Sequence, residues 1–477
     1  MKRRVSLLVV HGHVLTMEGN GVGYKQDGAI AVVGSKIEDV GASERLLATY
    51  EADCVIDATN EVVLPGLIDT HTHSRESLLR GVAQDVPEYM ASALAPFSRA
   101  YTDESALAGT RLHVLEALKA GTTTIVDFEA PKNAWAQFYA QVGVRARLTP
   151  LINSLAKNTM AESGTDLYTF DEENGDQTIG DALAFAEQWH QKENGRITVM
   201  LGPQAPDMVT QEQLLRVKTL ASKANLMIHM HVAQGDRESN QVVKRYGKRT
   251  IPYLKSIGYL DDQLFGVHLT DATNEEVGMM VREGSSMGLC SACIGLVDGI
   301  VPPAREYHDL GGMVGLGTDS ASSNNCITLF NEMKLTALFN KIVTQRPDVM
   351  PAWTVLRMAT IEGAQAIGLG DTIGSLEIGK EADMAIIDLS QLNLSPVVTR
   401  PIRNIVPNLV YSATGHEVDT VIIAGRIVMK GREILTANET SIHCEAQEAA
   451  DDLSRSVSQD PQHKNLALLK AMDKGFL

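Results

Sequence analysis

The sequence predicts an α/β fold, in which a TIM-like (β/α)8 barrel is joined to a small β-sandwich domain assembled from both chain ends. Residues 65–375 repeat a strand-then-helix rhythm, which is typical of a parallel sheet covered by helices. Residues 1–64 and 376–440 instead carry short β-forming runs between turn residues. The length of 477 residues exceeds the usual size of one domain and agrees with this division.

The two outer segments are interpreted as short strands. In the N-terminal segment, β-forming residues lie between glycine, asparagine and aspartate in SLLVVHGHVLTM, GAIAVVGSKIEDVG and CVIDATNEVVLP. The same residue pattern occurs in the C-terminal segment in GSLEIGKEADMAIIDLS and VDTVIIAGRIVMKGREIL. The N-terminal apolar run, SLLVV, is short, and no small-residue cleavage site follows it. We therefore expect the N-terminus to form the first strand and not a signal peptide.

Eight strand candidates alternate with helical patterns in the middle of the chain. The candidates are Leu64–Thr70, Thr123–Phe128, Val144–Leu151, Ile197–Leu201, Leu226–Val232, Leu264–Leu269, Ser286–Cys290 and Met313–Asp319. Patterns such as DESALAGTRLHVLEALKAG and QEQLLRVKTLASKAN between them have helical spacing. The acidic segment Asp166–Asp176 is interpreted as a solvated loop, and the apolar spacing after Ser441 predicts a helical extension over 441–477.

Composition excludes several classes of partner. A net charge of −17 would be repelled by nucleic acid and by anionic membranes. No apolar stretch approaches the ~18 residues that a membrane span requires. The five cysteines are scattered, which is typical of reduced thiols in a cytoplasmic protein. We expect a cytoplasmic protein that acts on a small molecule, and Cys290 and Cys293 leave a redox pair as an alternative.

Side chains that bind metals recur where the predicted barrel strands end. Strands alternate their faces, so His71 and His73 point to the same side. The other such residues are His229 and His231 after the fifth strand, His268 after the sixth and Asp319 after the eighth. Active sites of parallel barrels lie at this edge. Three imidazoles and a carboxylate suit one divalent ion, with zinc favoured and iron as the alternative.

The chemistry of such a centre is hydrolytic. A bound divalent ion lowers the pKa of a water molecule toward neutrality and so supplies a nucleophile. Asp319 could bind the ion and accept the proton of the water. His268 would then orient the nucleophile or stabilise charge that develops on the substrate.

The motifs PGLIDTHTH, IHMHVAQ, VHL and GLGTDSASSNN resemble the amidohydrolase superfamily, in particular its cytosine, guanine and S-adenosylhomocysteine deaminases and s-triazine hydrolases. The resemblance covers nearly the whole chain, including KAGTTT, ATIEGAQAIGL and GSLEIGKEADMAIID. It implies a single metal ion, a homo-oligomer (dimer or larger) and a substrate-facing His268. It also implies the metal ligands His71, His73, His231 and Asp319.

The register of the fifth-strand pair selects His231 as the ligand. In the family the ligand is followed three residues later by a glutamate, and His231 stands in that register. His229 is then expected to support the ligands from behind. The residue in the glutamate position is Gln234, whose amide cannot take up and release a proton near neutral pH. Either another acid replaces it or the reaction does not need one.

Nearby acids offer substitutes for that glutamate. Asp236 and Glu238 follow Gln234 and are interpreted as surface charges. Glu76 either contacts the substrate, with acid–base work as a further role, or forms a salt bridge with Arg75 or Arg80.

Further positions expected to contact substrate also depart from the family. Gln204 replaces a histidine in the motif LGPHAP, and Ala292 and Cys293 replace the usual Ser-Asn pair. Gln204, Cys293, Glu76 and Asn324 are predicted to bind substrate, and Gln234 to act in catalysis with Asp319 and His268.

These observations predict a hydrolase that displaces an amine or a halide from an sp² carbon of a small N-heterocyclic compound. Hydrolysis of an amide, urea or carbamate C–N bond is the alternative, and Gln234 favours it. A non-catalytic binding protein on the same scaffold is a third hypothesis.

Overall fold

The computed structural model describes residues 2–82, 84, 85, 94–156, 166–460 and 466–477. The predicted β-domain, barrel and C-terminal extension also contain residues 1, 83, 86–93, 157–165 and 461–465, which lie outside the described residues. The strands are β1 Arg3–Leu15, β2 Tyr24–Val33, β3 Lys36–Ala42, β4 Tyr50–Asp57, β5 Glu61–Pro65, β6 Leu67–Thr72, β7 Thr122–Glu129, β8 Arg145–Ile152, β9 Ile197–Val199, β10 Gly202–Pro203, β11 Ile228–Val232, β12 Leu264–His268, β13 Ser286–Leu289, β14 Val314–Leu316, β15 Met384–Asp388, β16 Val418–Ile423, β17 Arg426–Lys430 and β18 Glu433–Ile434.

The α-helices surround the middle strands and close the chain. They are α1 Ser43–Thr49, α2 Ala95–Ser98, α3 Asp103–Lys119, α4 Asn133–Val142, α5 Glu172–Trp189, α6 Gln211–Ala224, α7 Gly235–Tyr246, α8 Thr250–Ser256, α9 Asn274–Arg282, α10 Ser291–Val297, α11 Ala304–Asp309, α12 Leu329–Thr344, α13 Ala352–Met358, α14 Ile361–Ala366, α15 Ile405–Tyr411, α16 Glu439–Gln459 and α17 Ala467–Asp473. Short 3₁₀ helices cover Ser74–Leu79 and Leu392–Leu394. Among the described residues, no helix is long and apolar enough to cross a membrane.

The strands β6–β14 form the predicted parallel barrel. Two sheets, β10-β8-β7-β6 with β9 beside β8 and β11-β12-β13-β14, make up its wall. Backbone hydrogen bonds close the wall at both seams: the amide of His229 donates to Leu201 (2.9 Å), and the amide of Asp319 donates to His71 (2.9 Å). Every residue of β6, β11 and β12 is buried, as expected for strands covered on both faces. The barrel fold class is confirmed.

Strands from both chain ends form one further sheet. Its order is β18-β17-β16-β15-β5-β1-β2-β3, with β4 beside β1. Antiparallel pairing of Val63 with Ile386 joins the N-terminal and C-terminal segments. The register of β1 shifts around Gly12, and there β1 changes its neighbour from β4 to β5. The predicted composite β-domain is therefore present, and its buried core takes side chains from both segments.

Local signals explain where several barrel helices begin. Thr102 caps α3 by accepting a hydrogen bond from the amide of Ser105, and Ser105 returns a bond to the backbone of Thr102. Thr210 caps α6 in the same way through the amide of Gln213. These caps satisfy amide groups that the first helical turn leaves without partners.

The interpretation of Asp166–Asp176 as a solvated loop is wrong in part. The helix α5 begins at Glu172, because the Asp171 side chain accepts a hydrogen bond from the amide of Asn174 and caps it. Tyr168 is buried within the same segment. An acidic run at a helix N-terminus is favoured by the helix dipole, which the composition alone does not reveal.

The C-terminal extension packs against the first barrel helix. The helix α16 buries Ala446 and Leu453 beside Leu78 of the 3₁₀ segment that follows β6. Ion pairs between Arg111 and Glu445 (2.7 Å) and between Lys119 and Glu439 (2.7 Å) add to this contact.

Candidate metal centre

Five predicted residues converge at the carboxyl end of the barrel. The Nε2 atoms of His73 and His231 lie 3.3 Å apart. Oδ1 of Asp319 lies 3.8 Å from Nε2 of both His71 and His73, and Oδ2 lies 3.8 Å from Nε2 of His268. The donor atoms of His71, His231 and His268 lie within 4.8 Å of one another, and so do those of His71, His73 and Asp319. This spacing suits ligands around a small divalent cation.

Backbone carbonyl groups orient two of the imidazoles. Nδ1 of His73 lies 2.9 Å from the carbonyl of Phe128, and Nδ1 of His231 lies 2.6 Å from the carbonyl of Gln204. A carbonyl only accepts, so each Nδ1 must carry the proton and donate it. Each Nε2 atom then carries an unprotonated lone pair that points toward the cluster. This is the usual arrangement of a metal-binding histidine.

His229 supports the cluster from behind. Its Nε2 lies 2.8 Å from Nδ1 of His71, and its Nδ1 lies 2.9 Å from Oγ1 of Thr149. Both of its ring nitrogens are therefore engaged, whereas Nε2 of His71 has no hydrogen-bond partner. The geometry agrees with the expectation that His231, and not His229, faces the metal position.

Unpartnered buried atoms indicate that the cluster suits a ligand. Nε2 of His71 and both ring nitrogens of His268 are buried without a hydrogen-bond partner among the described residues. Buried polar atoms without partners are uncommon and destabilise a fold by about 1–3 kcal/mol each. His268 and Asp319 also hold positive φ angles of 79° and 57°, a strained backbone for residues other than glycine. A divalent ion fits this donor set.

Burial keeps most of the imidazoles neutral, the form that binds metals. Burial, with neighbouring imidazoles adding to it, lowers the pKa of His71, His229 and His231 well below the ordinary value. Burial also lowers the pKa of His268 to about 4, although Asp319 opposes the shift. At His73 burial acts in the same direction, but the charges of Asp319, Glu76 and Glu129 outweigh it and raise the pKa.

Asp69 connects β6, which carries His71, to the segment after β14, which carries Asp319, and sequence reasoning missed it. Its carboxylate accepts hydrogen bonds from the amide (3.0 Å) and hydroxyl (2.5 Å) of Thr318 and from the amide of His71 (3.3 Å). Burial raises the pKa of Asp69 to about 7. The available signal was a charged residue inside the apolar run VVLPGLID.

Asn324, predicted to bind substrate, is engaged within the protein. Its Nδ2 donates to the carbonyl of Thr318 (2.7 Å) and to Oε1 of Glu332 (2.9 Å). Glu332 is fully buried and also accepts from the amide of Ala292 (3.2 Å). Both amide hydrogens of Asn324 are therefore used to hold the loop after β14, whereas its Oδ1 is buried without a hydrogen-bond partner among the described residues.

The two glutamines flank His231. Gln204 is half-buried, and its Oε1 accepts a hydrogen bond from Nδ2 of Asn153, a residue that sequence reasoning did not single out. Gln234 is half-buried and precedes α7, and its side chain makes no hydrogen bond to another described residue. Its amide is therefore available to a ligand.

Glu76 contacts the loop after β14 and forms no direct ion pair with an arginine among the described residues. It is buried, and its Oε2 accepts a hydrogen bond from the hydroxyl of Ser322 (2.5 Å). Among the described residues, Arg75 pairs with Glu129 (3.3 Å) and Arg80 pairs with Glu116. The salt bridge offered as an alternative for Glu76 does not form.

Cys290 and Cys293 are buried free thiols beside the cluster. Burial, with the charge of Asp319 adding to it, raises the pKa of both thiols well above the ordinary value. Thiol–disulfide exchange requires a thiolate. This environment opposes the redox alternative.

Glu238 is not a surface charge, and that interpretation is wrong. It is fully buried, and its carboxylate accepts hydrogen bonds from the amides of Ala233 (2.8 Å) and Gln234 (3.0 Å). The turn from β11 into α7 leaves these amides without helical partners, and an acid early in the helix reaches back to them. Asp236 is exposed, as predicted.

Glu238→Gln is expected to alter how stability depends on pH. Burial, with the charge of Asp207 adding to it, raises the pKa of Glu238 from 4.5 to about 7, so the folded state binds more protons than the unfolded state between these values. The contribution of Glu238 to the free energy of unfolding is fully present below pH 4.5 and is lost as the pH rises through about 7. Wild type should therefore lose stability relative to Glu238→Gln as the pH rises from 4.5 to 7, because the glutamine side chain does not titrate.

Urea unfolding midpoints measured across this pH range test the prediction. Asp236→Asn, which changes an exposed acid two residues away, should leave the pH profile of wild type unchanged. Parallel profiles for wild type and Glu238→Gln would contradict the assigned cause.

Residues 62–428 match the amidohydrolase family, and the chain belongs to this family. It is 34% identical to a 5-methylthioadenosine/S-adenosylhomocysteine deaminase of Moorella thermoacetica, over 88% of this chain and 93% of the relative. It is also 34% identical to a 5'-deoxyadenosine deaminase of Methanococcoides burtonii, over 94% of this chain and 98% of the relative. These relatives confirm the resemblance that the motifs predicted.

Solved structures support the same fold. A zinc-bound adenosine deaminase from Xanthomonas campestris superimposes with a TM-score of 0.88 at 27% identity, over 95% of this chain and all of that one (100%). Atrazine chlorohydrolase from Arthrobacter aurescens, complexed with zinc, superimposes with a TM-score of 0.82 at 21% identity, over 93% and 100% of the two chains.

Proposed function

We propose that this protein is a metal-dependent hydrolase that displaces an amine or a halide from an sp² carbon of a small N-heterocyclic compound. The observation that carries the proposal is the convergence of His71, His73, His231 and Asp319 at the mouth of the barrel. The similarity to deaminases of adenosine-type compounds supports the heterocycle. A cytoplasmic location and a homo-oligomer stay predictions.

The four converging residues would hold one ion, with zinc favoured by the zinc-bound neighbours and iron as the alternative. When bound, the ion supplies a Lewis acid and an activated water. In the proposed reaction Asp319 accepts the proton of the water through its carboxylate, whose Oδ2 lies 3.8 Å from Nε2 of His268. His268 is neutral and buried, and its free nitrogen can orient the nucleophile or donate to charge on the substrate.

The substrate side of the proposed site is built from neutral amides. The Gln234 side chain makes no hydrogen bond to another described residue, and Gln204 accepts a hydrogen bond from Asn153. These groups donate and accept hydrogen bonds but move no proton. A substrate with a good leaving group can react without a proton-transferring side chain at this position, because departure of that group needs less protonation in the transition state. Glu76 and Cys293 are the further residues proposed to face the substrate.

Hydrolysis of an amide, urea or carbamate bond is the second candidate. The observation that favours it is Gln234, which stands where ring deamination would use a proton-transferring acid. A neutral amide complements the carbonyl and N–H groups of such substrates.

A substrate screen tests both candidates. Metal-loaded protein is incubated with purines, pyrimidines, pterins, triazines, aryl ureas and aryl carbamates, and release of ammonia, chloride or aryl amine is followed. Activity should disappear on chelation and return with zinc. A protein without about one zinc or iron per chain, whose ligand binding is insensitive to chelation, would be a binding protein instead.

Gln234→Glu is expected to retain activity or to shift preference toward ring deamination. The new carboxylate restores a proton-transferring group beside His231, and such groups contribute about 10²–10⁴-fold to a rate that needs them. The ratio of kcat/KM values for an aminated heterocycle and for an aryl urea measures the shift. Loss of activity on every substrate with metal still bound would show that the neutral amide itself is required.

A further inference from the structure

A buried arginine at the floor of the barrel has no counter-ion among the described residues. Arg147 lies near the start of β8, so it sits toward the amino ends of the strands, opposite the metal centre. Its neighbours Ala146 and Leu148 pack in the core between the barrel wall and the helices. The Arg147 side chain therefore faces the interior, as does Thr149, whose Oγ1 lies 2.9 Å from Nδ1 of His229.

The guanidinium of Arg147 is enclosed but unpaired. The residue is 6% exposed, and its Nε is buried without a hydrogen-bond partner among the described residues. Burial lowers the pKa of Arg147 to about 10, and no carboxylate of the described residues opposes that shift. The side chain therefore stays positively charged at neutral pH. A buried charge without a partner destabilises a fold strongly, so a negatively charged ligand at this position would stabilise the protein.

Hydroxyl groups on the two neighbouring strands face the same space. Thr198 of β9 is the direct register partner of Arg147. On the other side, the register partner is Val126 of β7, which packs in the apolar cluster inside the barrel. Thr124 stands two residues before Val126 and so shares its inner face. Oγ1 of Thr124 is buried without a hydrogen-bond partner among the described residues, and Oγ1 of Thr198 makes a long hydrogen bond of 3.5 Å to a backbone carbonyl. Both hydroxyls can therefore donate to an anion.

The exposed part of the guanidinium lies at the floor of the barrel. Neither Nη atom of Arg147 forms a hydrogen bond with a described residue, and neither is fully enclosed. A Cβ placed on Gly368, in the segment after α14, would lie 3.8 Å from Nη1. This segment closes the floor, because its Ile367 and Ile373 pack in the same apolar cluster as Val126. The Nη atoms thus reach solvent beside the segment that follows α14.

The chemistry of the donors limits the class of anion. One guanidinium balances a single negative charge, and its planar set of N–H donors matches the two oxygens of a carboxylate. The two hydroxyls can donate to the remaining lone pairs of the same oxygens. A polyanion would bring more negative charge into this buried space than one arginine neutralises.

We propose that Arg147, Thr124 and Thr198 form a binding site for a small monocarboxylate at the floor of the barrel. The anion accepts hydrogen bonds from the guanidinium and the hydroxyls, and it supplies the counter-charge that the described residues lack. The site is separate from the metal centre and does not depend on the reaction proposed there. A ligand that binds only the folded state raises its stability in proportion to the logarithm of the ligand concentration once the site is nearly saturated.

Thermal unfolding in sodium formate tests the site. Metal-loaded protein is melted at increasing formate concentration, and sodium morpholinoethanesulfonate, a bulky anion, keeps the ionic strength constant. The Tm of wild type should rise with formate, whereas that of Arg147→Met should not. In the bulky anion alone, Arg147→Met should melt at or above the Tm of wild type, because an apolar side chain replaces an unpaired buried charge. Arg346→Met, which changes an exposed arginine, is the matched control and should keep the wild-type response.

Calorimetric titration with formate measures the same site directly. Wild type should bind one formate per chain that Arg147→Met does not bind, and Thr124→Val and Thr198→Val should each weaken it by about tenfold, the size of one hydrogen bond to a charged group. Wild type that responds equally to both anions would overturn the proposal, even if no variant folded. A response that persists in Arg147→Met would assign formate to the metal centre and would also overturn it. Stronger stabilisation by chloride than by formate would refute the carboxylate as the ligand.

Discussion

Asp319→Asn is expected to lower kcat by at least about 10²–10⁴-fold. The substitution keeps the size of the side chain but removes its negative charge and its capacity to hold a proton. Oδ1 lies 3.8 Å from Nε2 of His71 and His73, so the change also weakens the ligand set for the ion. Loss of the proton acceptor and weaker metal binding both lower the activity.

Metal analysis of the same preparation separates these two effects. A variant that retains the ion but loses activity would assign the proton-accepting role to Asp319, whereas a variant that loses the ion would assign mainly a ligand role. Asp236→Asn is the matched control, because Asp236 is exposed on the helix that follows His231. Full activity of Asp319→Asn would refute the proposed centre.

Asp383→Ala is expected to lower the free energy of unfolding by about 3–5 kcal/mol. The Asp383 carboxylate accepts hydrogen bonds from Nε (2.6 Å) and Nη2 (3.1 Å) of Arg145, and it also accepts from the amide of Ala424 (2.7 Å). The two side chains are only 3% and 4% exposed. Removal of the acid leaves a buried guanidinium whose one remaining counter-ion within the described part of the chain is Glu381, 3.5 Å away.

The exposed pair of Arg346 and Asp348 provides a matched control. Its N–O distance is also 2.6 Å, but its side chains are 55% and 65% exposed. Solvent screens this pair, so Asp348→Ala should cost only about 0–1 kcal/mol. Urea unfolding followed by tryptophan fluorescence compares the two variants. Equal shifts in the unfolding midpoint would contradict the assignment of the buried pair as the stronger contact.

The buried pair also explains how the two parts of the chain stay together. Arg145 begins β8 of the barrel, whereas Asp383 directly precedes β15 of the composite sheet. Their contact joins residues that are far apart in the sequence, and neither residue carries a local signal that identifies the other. Sequence patterns predicted both elements but not this connection.

The fold and the convergence of the candidate donors could be predicted because their signals are local. Period-two alternation places His71 and His73 on one face, and each barrel strand is a short apolar run bounded by turn residues. The position of a histidine at a strand end follows from its neighbours in the chain alone. The same logic placed His229, His231, His268 and Asp319 at strand ends, and the family resemblance selected His231 over His229 as the expected ligand.

The environments of the acids were not predictable in this way. Glu238 looks like a surface charge in the sequence, yet it is buried against the amides of Ala233 and Gln234. Glu76 could have paired with either neighbouring arginine, but the fold places it against Ser322. Burial and partner choice depend on elements that meet only after the barrel closes.

The sequence by itself thus determined the architecture of this protein and which side chains are candidate donors, because the periodicity of each strand and helix is encoded in adjacent residues. Only the tertiary structure decided what those atoms face. It placed His229 behind His71, set Asp319 between the His71–His73 pair and His268, and brought Cys290 beside His268. Side chains from different strands meet through long-range packing, for which a local pattern carries no information.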